Sequence, residues 1–366
     1  MGEELVYKPF FCVLRLGLWE QVQERLEDYF PISDLHWERL YQLAMKHTVE
    51  GVLFDGLQKL PAAWLPAKSL LLRWTVRVDA IERRNLWMNK IIANQSRFFK
   101  EHDISAILLK GQGLARCYPN PNRRICGDID WYIAEKRDYE ALYDMLKERN
   151  LKPEKQAGFT YSMLWNNCDT EMHQRLFDLH NPFLGGYLKR LEKEQRAQAV
   201  PLQLGETEVT LPSVLLSFVQ VNAHILKHLL SFGIGMRQLC DSARLCFYYT
   251  DQVDGERLKK IYERLGIRKW IDRLHLLLVK HMGLDPKYLP FPLVDSLDAD
   301  WMMDEILTAG NFGFHDERVD LAKEEALNQR VDSFKRWRHN FALYVPYAPY
   351  ETIFFPLLQF YSRLLK

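Results

Sequence analysis

Apolar residues in the first hundred positions recur at helical spacing among charges. They run through Leu14, Leu18, Val22 and Leu26, then Leu35, Leu40, Leu43 and Ala44, and later Ile81, Leu86, Met88, Ile91 and Ile92. Ser33 is positioned to cap a helix starting near Asp34, and Leu60-Pro61 to Leu65-Pro66 marks a break. A long helix should end near Lys100. The pattern then changes to short extended runs: Ile104 to Leu109, Ile125 to Ile133, 158–164 and Glu171 to His180. Between them lies an amphipathic helix over Arg137 to Arg149, with Tyr139, Leu142 and Leu146 on one side, and a polar turn at Asn166 to Thr170. A charged helix over Leu188 to Ala199 and a strand pair around Gly205 follow. From Ser213 helical periodicity returns, with segments at Glu256 to Leu265, Arg268 to Met282 and Ala299 to Leu307, stopped by Gly266, Gly283 and Gly310. The pattern predicts three regions: helical over 1–100, a mixed α+β core over 101–208, and helical again over 209–366.

The core carries the chemistry. Its first strand runs into Lys110-Gly111-Gln112-Gly113, where glycines allow close backbone approach and a helix start attracts anions. Gly-x-Gly is also a simple tight turn. The second strand contains Gly127-Asp128-Ile129-Asp130, and alternation puts both carboxylates on one face while Ile129, Trp131 and Ile133 face the core. Two acids held together repel unless a cation or a shared proton sits between them. Mg²⁺ suits such hard oxygen ligands, completing its shell with water and substrate phosphates. Lys110, Arg123 and Arg124 are placed to hold triphosphate oxygens.

The Lys-Gly turn, the Leu114-Ala-x-x-Tyr-Pro119 helix, the basic Asn122-Arg123-Arg124 and Gly127-Asp-Ile-Asp130 together resemble the core of the polymerase-beta-type nucleotidyltransferase superfamily. More closely they are similar to its bacterial branch of uncharacterised nucleotidyltransferases with a Leu-Lys-Gly opening. The turn departs from the usual Gly-Gly or Gly-Ser, and the gap to Asp128 is longer than usual. The resemblance implies a small mixed sheet with helices, and a third acid on a neighbouring strand, here Asp178 in Arg175-Leu-Phe-Asp-Leu-His180. Asp128, Asp130 and Asp178 would then be both the metal ligands and the catalytic residues. In that role Asp178 also accepts the proton of the attacking hydroxyl. His180, two residues on, falls on the same face of a strand and is placed to orient Asp178 or meet the substrate. The resemblance also extends to Met236-Arg237-Gln-Leu-Cys-Asp241, whose Arg237 and Asp241 would line the cleft, and to the loop Asn311 to His315. Alternatively, Arg237 and Asp241 form a surface ion pair.

His224 and His228 share a helix face at a spacing that can bind metal. No Glu follows the first and no third ligand is apparent, so a histidine pair facing the cleft is expected rather than zinc. The six cysteines show no Cys-x-x-Cys and read as buried thiols. With 366 residues, 48% hydrophobic content and a formal charge of +1, the chain reads as folded and without a strong electrostatic grip on duplex nucleic acid. The N-terminus has no basic segment followed by an apolar block, and prolines and Glu351 interrupt the apolar stretch from Phe341 to Leu365. A cytoplasmic protein without a membrane span is the expectation.

The reading is therefore a Mg²⁺-dependent nucleotidyltransferase, using one or two ions with Mn²⁺ as a substitute. It would move a nucleoside monophosphate from a triphosphate, ATP favoured, to a hydroxyl acceptor and release pyrophosphate. Lys110, Gly111, Gln112, Gly113, Arg123, Arg124, His180, Arg237 and Asp241 would bind the nucleotide. Two other classes fit the same residues: a catalytically silent scaffold binding a nucleotide or a protein, and a metal-dependent phosphohydrolase.

Overall fold

The computed structural model describes residues 4–21, 24–156, 159–231, 233–311 and 338–364. Glycine contacts draw the N-terminal helices together. A Cβ built on Gly17 in α1 (Glu4–Leu18) would lie 1.9 Å from the Val52 carbonyl oxygen, and one on Gly56 in α3 (Glu50–Leu57) would lie 1.9 Å from that of Val13. Backbones in such contact leave no room for any side chain at these positions. Between them comes α2 (Asp34–Lys46), where the Ser33 side chain accepts from the His36 amide as the capping pattern predicts. The long helix α4 (Lys68–Glu101) then delivers the chain to the sheet.

Five strands lie in the order β1-β2-β5-β4-β3. They are β1 (Ala106–Leu109), β2 (Ile129–Ile133), β3 (Glu154–Gln156), β4 (Thr160–Trp165) and β5 (Cys168–His173). β2 and β5 are parallel and every other pairing is antiparallel. Short α5 (Gly111–Ala115) follows β1, and α6 (Lys136–Glu148) supplies the crossover from β2. The fold is α+β with a mixed sheet. Ile129, Trp131 and Ile133 pack into the apolar layer shared with Ile92 and Phe99 of α4 and with Leu142 and Leu146 of α6. Beneath the sheet, the Trp131 indole donates to Gln95 and Gln95 donates to Thr170, at 2.8 and 3.0 Å, satisfying buried polar groups between α4, β2 and β5.

One strand differs from its predicted span. Residues 171–180 do not form a continuous strand: β5 begins at Cys168 and ends at His173, and 174–181 carries no regular structure. The polar turn is only Asn166-Asn167, both at positive φ, joining β4 to β5 with Trp165 opposite Cys168. Two-residue hairpin loops demand positive φ, which Asn tolerates, so the strand restarts sooner than a five-residue polar run suggests. Asp169 and Thr170, assigned to the turn, are strand residues.

After α7 (Gly185–Gln195), the hairpin of β6 (Val200–Leu204) and β7 (Thr207–Leu211) packs beside β1 and α4. Helices α8 (Val214–Ser231), α9 (Met236–Tyr248), α10 (Gly255–Leu265), α11 (Arg268–Lys280) and α12 (Asp300–Ala309) form the second helical layer. Among the described residues, α8 is the helix long and apolar enough to cross a membrane, and 67% of that window is buried inside the protein. The C-terminal helix Pro349–Leu364 docks onto the core: its buried Glu351 accepts from the backbone amides of His180 and Asn181 at 2.6 and 3.0 Å. In the predicted loop from Asn311 to His315, 312–315 lie outside the described residues.

Candidate active site

Parallel pairing of β2 with β5 places Asp130 beside Glu171 and Tyr132 beside His173. Alternation then sends Asp169, Glu171 and His173 to the face that carries Asp130, while Thr170 and Met172 are buried on the other. Donor atoms of Asp130, Glu171 and His173 all lie within 4.8 Å of one another. They open onto a cleft of about 570 Å³ whose lining also includes Lys110, Asp128, Asp169, His224, Lys227 and Arg237.

The charges in this cleft are matched unevenly. Lys110 Nζ lies 3.3 Å from Asp130 Oδ1, and His173 Nε2 lies 2.8 Å from the same oxygen. Burial works against ionising Asp130, yet Lys110 and His173 hold its carboxyl well below the usual carboxylate range. Asp128 moves the other way, raised first by the neighbouring Asp130 charge and then by burial. Burial, then Asp130, also raises Glu171. Burial opposes the charge on Lys110, but Asp130 and then Asp178 lift its pKa above the ordinary lysine value. A divalent cation among these acids would relieve the repulsion. Carboxylate oxygens suit Mg²⁺ or Mn²⁺, and an imidazole at the rim suits Mn²⁺ as well, so the donor set fits such an ion.

Lys110 itself sits at φ +42°, ψ −139°, turning the chain sharply from β1 into α5. Gly111 continues the turn at φ +36°, and a Cβ there would meet Cys126 Sγ at 2.9 Å. Neither Gln112 nor Gly113 faces the cleft as a nucleotide cradle. Buried Gln112 donates to Asn85 at 2.8 Å, and Gly113 gives room to Leu211 of β7. Asn85 in turn donates to the Asn122 and Arg124 carbonyls at 2.6 and 2.8 Å, so Gln112 braces the loop before β2.

The two arginines of that loop are both held in ion pairs, Arg123 away from the cleft, Arg124 and its partner Asp241 in the cleft lining. Arg123 pairs with Asp55 and Glu82, the latter at 2.6 Å, bridging α3 and α4 away from the cleft. Arg124 is buried and donates through Nε and Nη2 to the two carboxylate oxygens of Asp241, each at 2.7 Å. The Tyr118 hydroxyl donates to the same Asp241 at 2.6 Å. Arg237 donates to the Ile125 carbonyl at 2.9 Å. Arg237 and Asp241 thus do not pair with each other. Side by side on α9, they grip consecutive residues of the segment leading into the acidic strand.

Asp178 and His180 diverge, because no strand holds them on one face. Asp178 accepts from His224 Nδ1 at 2.8 Å and from Lys227 Nζ at 2.7 Å, both on α8. His180 lies against Glu351 and Phe355 of the C-terminal helix and does not line the cleft. Asp178 is outside the close donor group, in which Glu171 joins Asp130 and His173. The sequence carried a signal for it: Asp169-x-Glu171-x-His173 alternates with the core positions Thr170 and Met172. Reading those first residues as turn hid it.

A family model described as "Uncharacterised nucleotidyltransferase" matches residues 33–283. A search of solved structures matches the crystal structure of an antigenic nucleotidyltransferase-like protein from Paracoccidioides brasiliensis, at 13% identity and a TM-score of 0.31, covering 54% of this chain and 92% of that chain. No curated protein matches.

Proposed function

Since the chain belongs to the uncharacterised nucleotidyltransferase family, we propose that it transfers a nucleoside monophosphate from a triphosphate, ATP favoured, to a hydroxyl acceptor with release of pyrophosphate. The observation that carries this reading is the convergence of Asp128, Asp130 and Glu171 in one cleft facing the Lys110 ammonium. Asp128, Asp130 and Glu171 would hold Mg²⁺ or Mn²⁺, with His173 orienting Asp130 from the rim. Such an ion, when bound, neutralises triphosphate charge. Lys110, beside Asp130, would contact the triphosphate, and the Arg237 guanidinium supplies a further cation at the cleft wall. Positioning and charge stabilisation are the work asked of these residues, as phosphoryl chemistry requires little covalent help.

Calorimetric titration of α,β-methylene-ATP with Mg²⁺ tests the reading. Metal-dependent binding to the wild type that disappears in Glu171→Gln and in Asp128→Ala/Asp130→Ala supports it. No binding of this analogue or its guanosine, cytidine and uridine counterparts to the wild type would end it.

A further inference from the structure

On α8, across the cleft from the acidic strands, His224 carries out no task in the nucleotide and metal roles assigned above. Its Nδ1 lies 2.8 Å from Asp178 Oδ2. A carboxylate only accepts, so Nδ1 must carry the proton and donate. Lys110 Nζ, 3.4 Å from the same nitrogen, cannot then donate to it. The tautomer is thereby set, leaving the Nε2 lone pair available on a ring that lines the cleft. Among the described residues Nε2 has no hydrogen-bond partner. Lys227 Nζ, 2.7 Å from the other Asp178 oxygen, completes the clamp.

We propose that His224 is the general base for the acceptor hydroxyl, with Asp178 as its positioning residue; the inference rests on the nucleotidyl-transfer reading. In the step, the acceptor O–H bond breaks as its proton passes to Nε2. The oxygen forms a bond to the α-phosphorus, and the bond from that phosphorus to the bridging oxygen breaks, its electron pair leaving with pyrophosphate. Asp178 stabilises the imidazolium until the proton passes to solvent. The arrangement is a carboxylate–histidine pair of the kind that activates weak nucleophiles. Burial and Lys110 keep the ring neutral at physiological pH, with a pKa near 4. The groups facing it are Lys110 from the end of β1, Asp130 from β2, whose carboxylate interacts with the ring through space, Asp178 from the segment after β5, and Lys227 and His228 from α8 itself, the His228 ring 4.3 Å away between centroids.

The test is formation of labelled AMP from α-labelled ATP with Mg²⁺, one pyrophosphate leaving for each, water serving as acceptor, followed across pH in the wild type, His224→Gln and Asp178→Asn. His224→Gln should form labelled AMP on the order of 100-fold more slowly and lose the acid limb of the profile, with α,β-methylene-ATP affinity unchanged. Asp178→Asn should lower the rate and shift that limb. A His224→Gln rate within about threefold of wild type, with the same limb, overturns the base assignment and leaves the transfer reading standing. A wild type that forms no labelled AMP overturns both. Should a variant misfold, ¹⁵N-histidine NMR of the wild type still decides: protonated Nδ1 and bare Nε2 support the assignment, and the opposite tautomer refutes it.

Discussion

Asp130 and Glu171 stand side by side on parallel strands, and the two carboxylates meet within the reach of one ion. Crowding them costs stability whenever no cation is bound, since Asp130 helps raise the pKa of Glu171. Glu171→Gln should therefore raise the melting temperature in chelator, modestly because solvent screens the partly exposed carboxylate. In the same variant, calorimetry should show Mn²⁺ binding weakened. A variant less stable than wild type in chelator would contradict this account of the cluster.

His173 touches Asp130 at 2.8 Å and Glu171 at 3.4 Å. If it orients these carboxylates, His173→Gln should lower metal affinity by about 10- to 100-fold with little effect on folding. Mn²⁺ titration followed by electron paramagnetic resonance measures this directly.

The buried bidentate pair of Arg124 and Asp241 joins the acidic strand's entry to α9. Truncating one partner strands the other as a buried charge, so Asp241→Ala should cost about 3–5 kcal/mol in urea denaturation. Tyr118→Phe removes one donor from the same carboxylate and should cost roughly 1.5–3 kcal/mol.

Glycines at the α1–α3 crossing admit no side chain. Gly56→Ala should cost about 3 kcal/mol, because a methyl 1.9 Å from a backbone oxygen forces the helices apart. Thermal melting tests this, with Gly127→Ala, where nothing lies within 4 Å of the new Cβ, as the mild control.

His275 is buried against Phe291, and neither ring nitrogen finds a partner among the described residues. Burial, then Arg268, holds its pKa down at about 3, against 6.5 for the unfolded chain. Between those values the unfolded chain binds more protons. The stabilisation is therefore complete above pH 6.5 and lost as pH falls toward 3, by about 1.4 kcal/mol per unit. Urea melts at pH 7 and pH 5 should show His275→Leu losing about 2 kcal/mol less than wild type over that interval.

Much of this was readable before any coordinates. Helical periodicity marked individual helices such as α2, α4 and α10, and alternation in Ile129-Asp-Trp-Tyr-Ile133 separated core from cleft, because side-chain direction along one element follows from local backbone geometry. That Asp128, Asp130 and Lys110 line one cleft was legible because their motif is nearly contiguous. What lies between elements was not. Arg123 and Arg124 look equivalent as neighbours, yet one turns to α3 and α4 and the other to α9, since their partners Asp55 and Asp241 are distant in the chain. Whether Asp178 or Glu171 stands beside Asp130 depended on where β5 stops and which strand it joins. That choice rests on register, and register is decided when strands pair and bury their apolar faces against a common core.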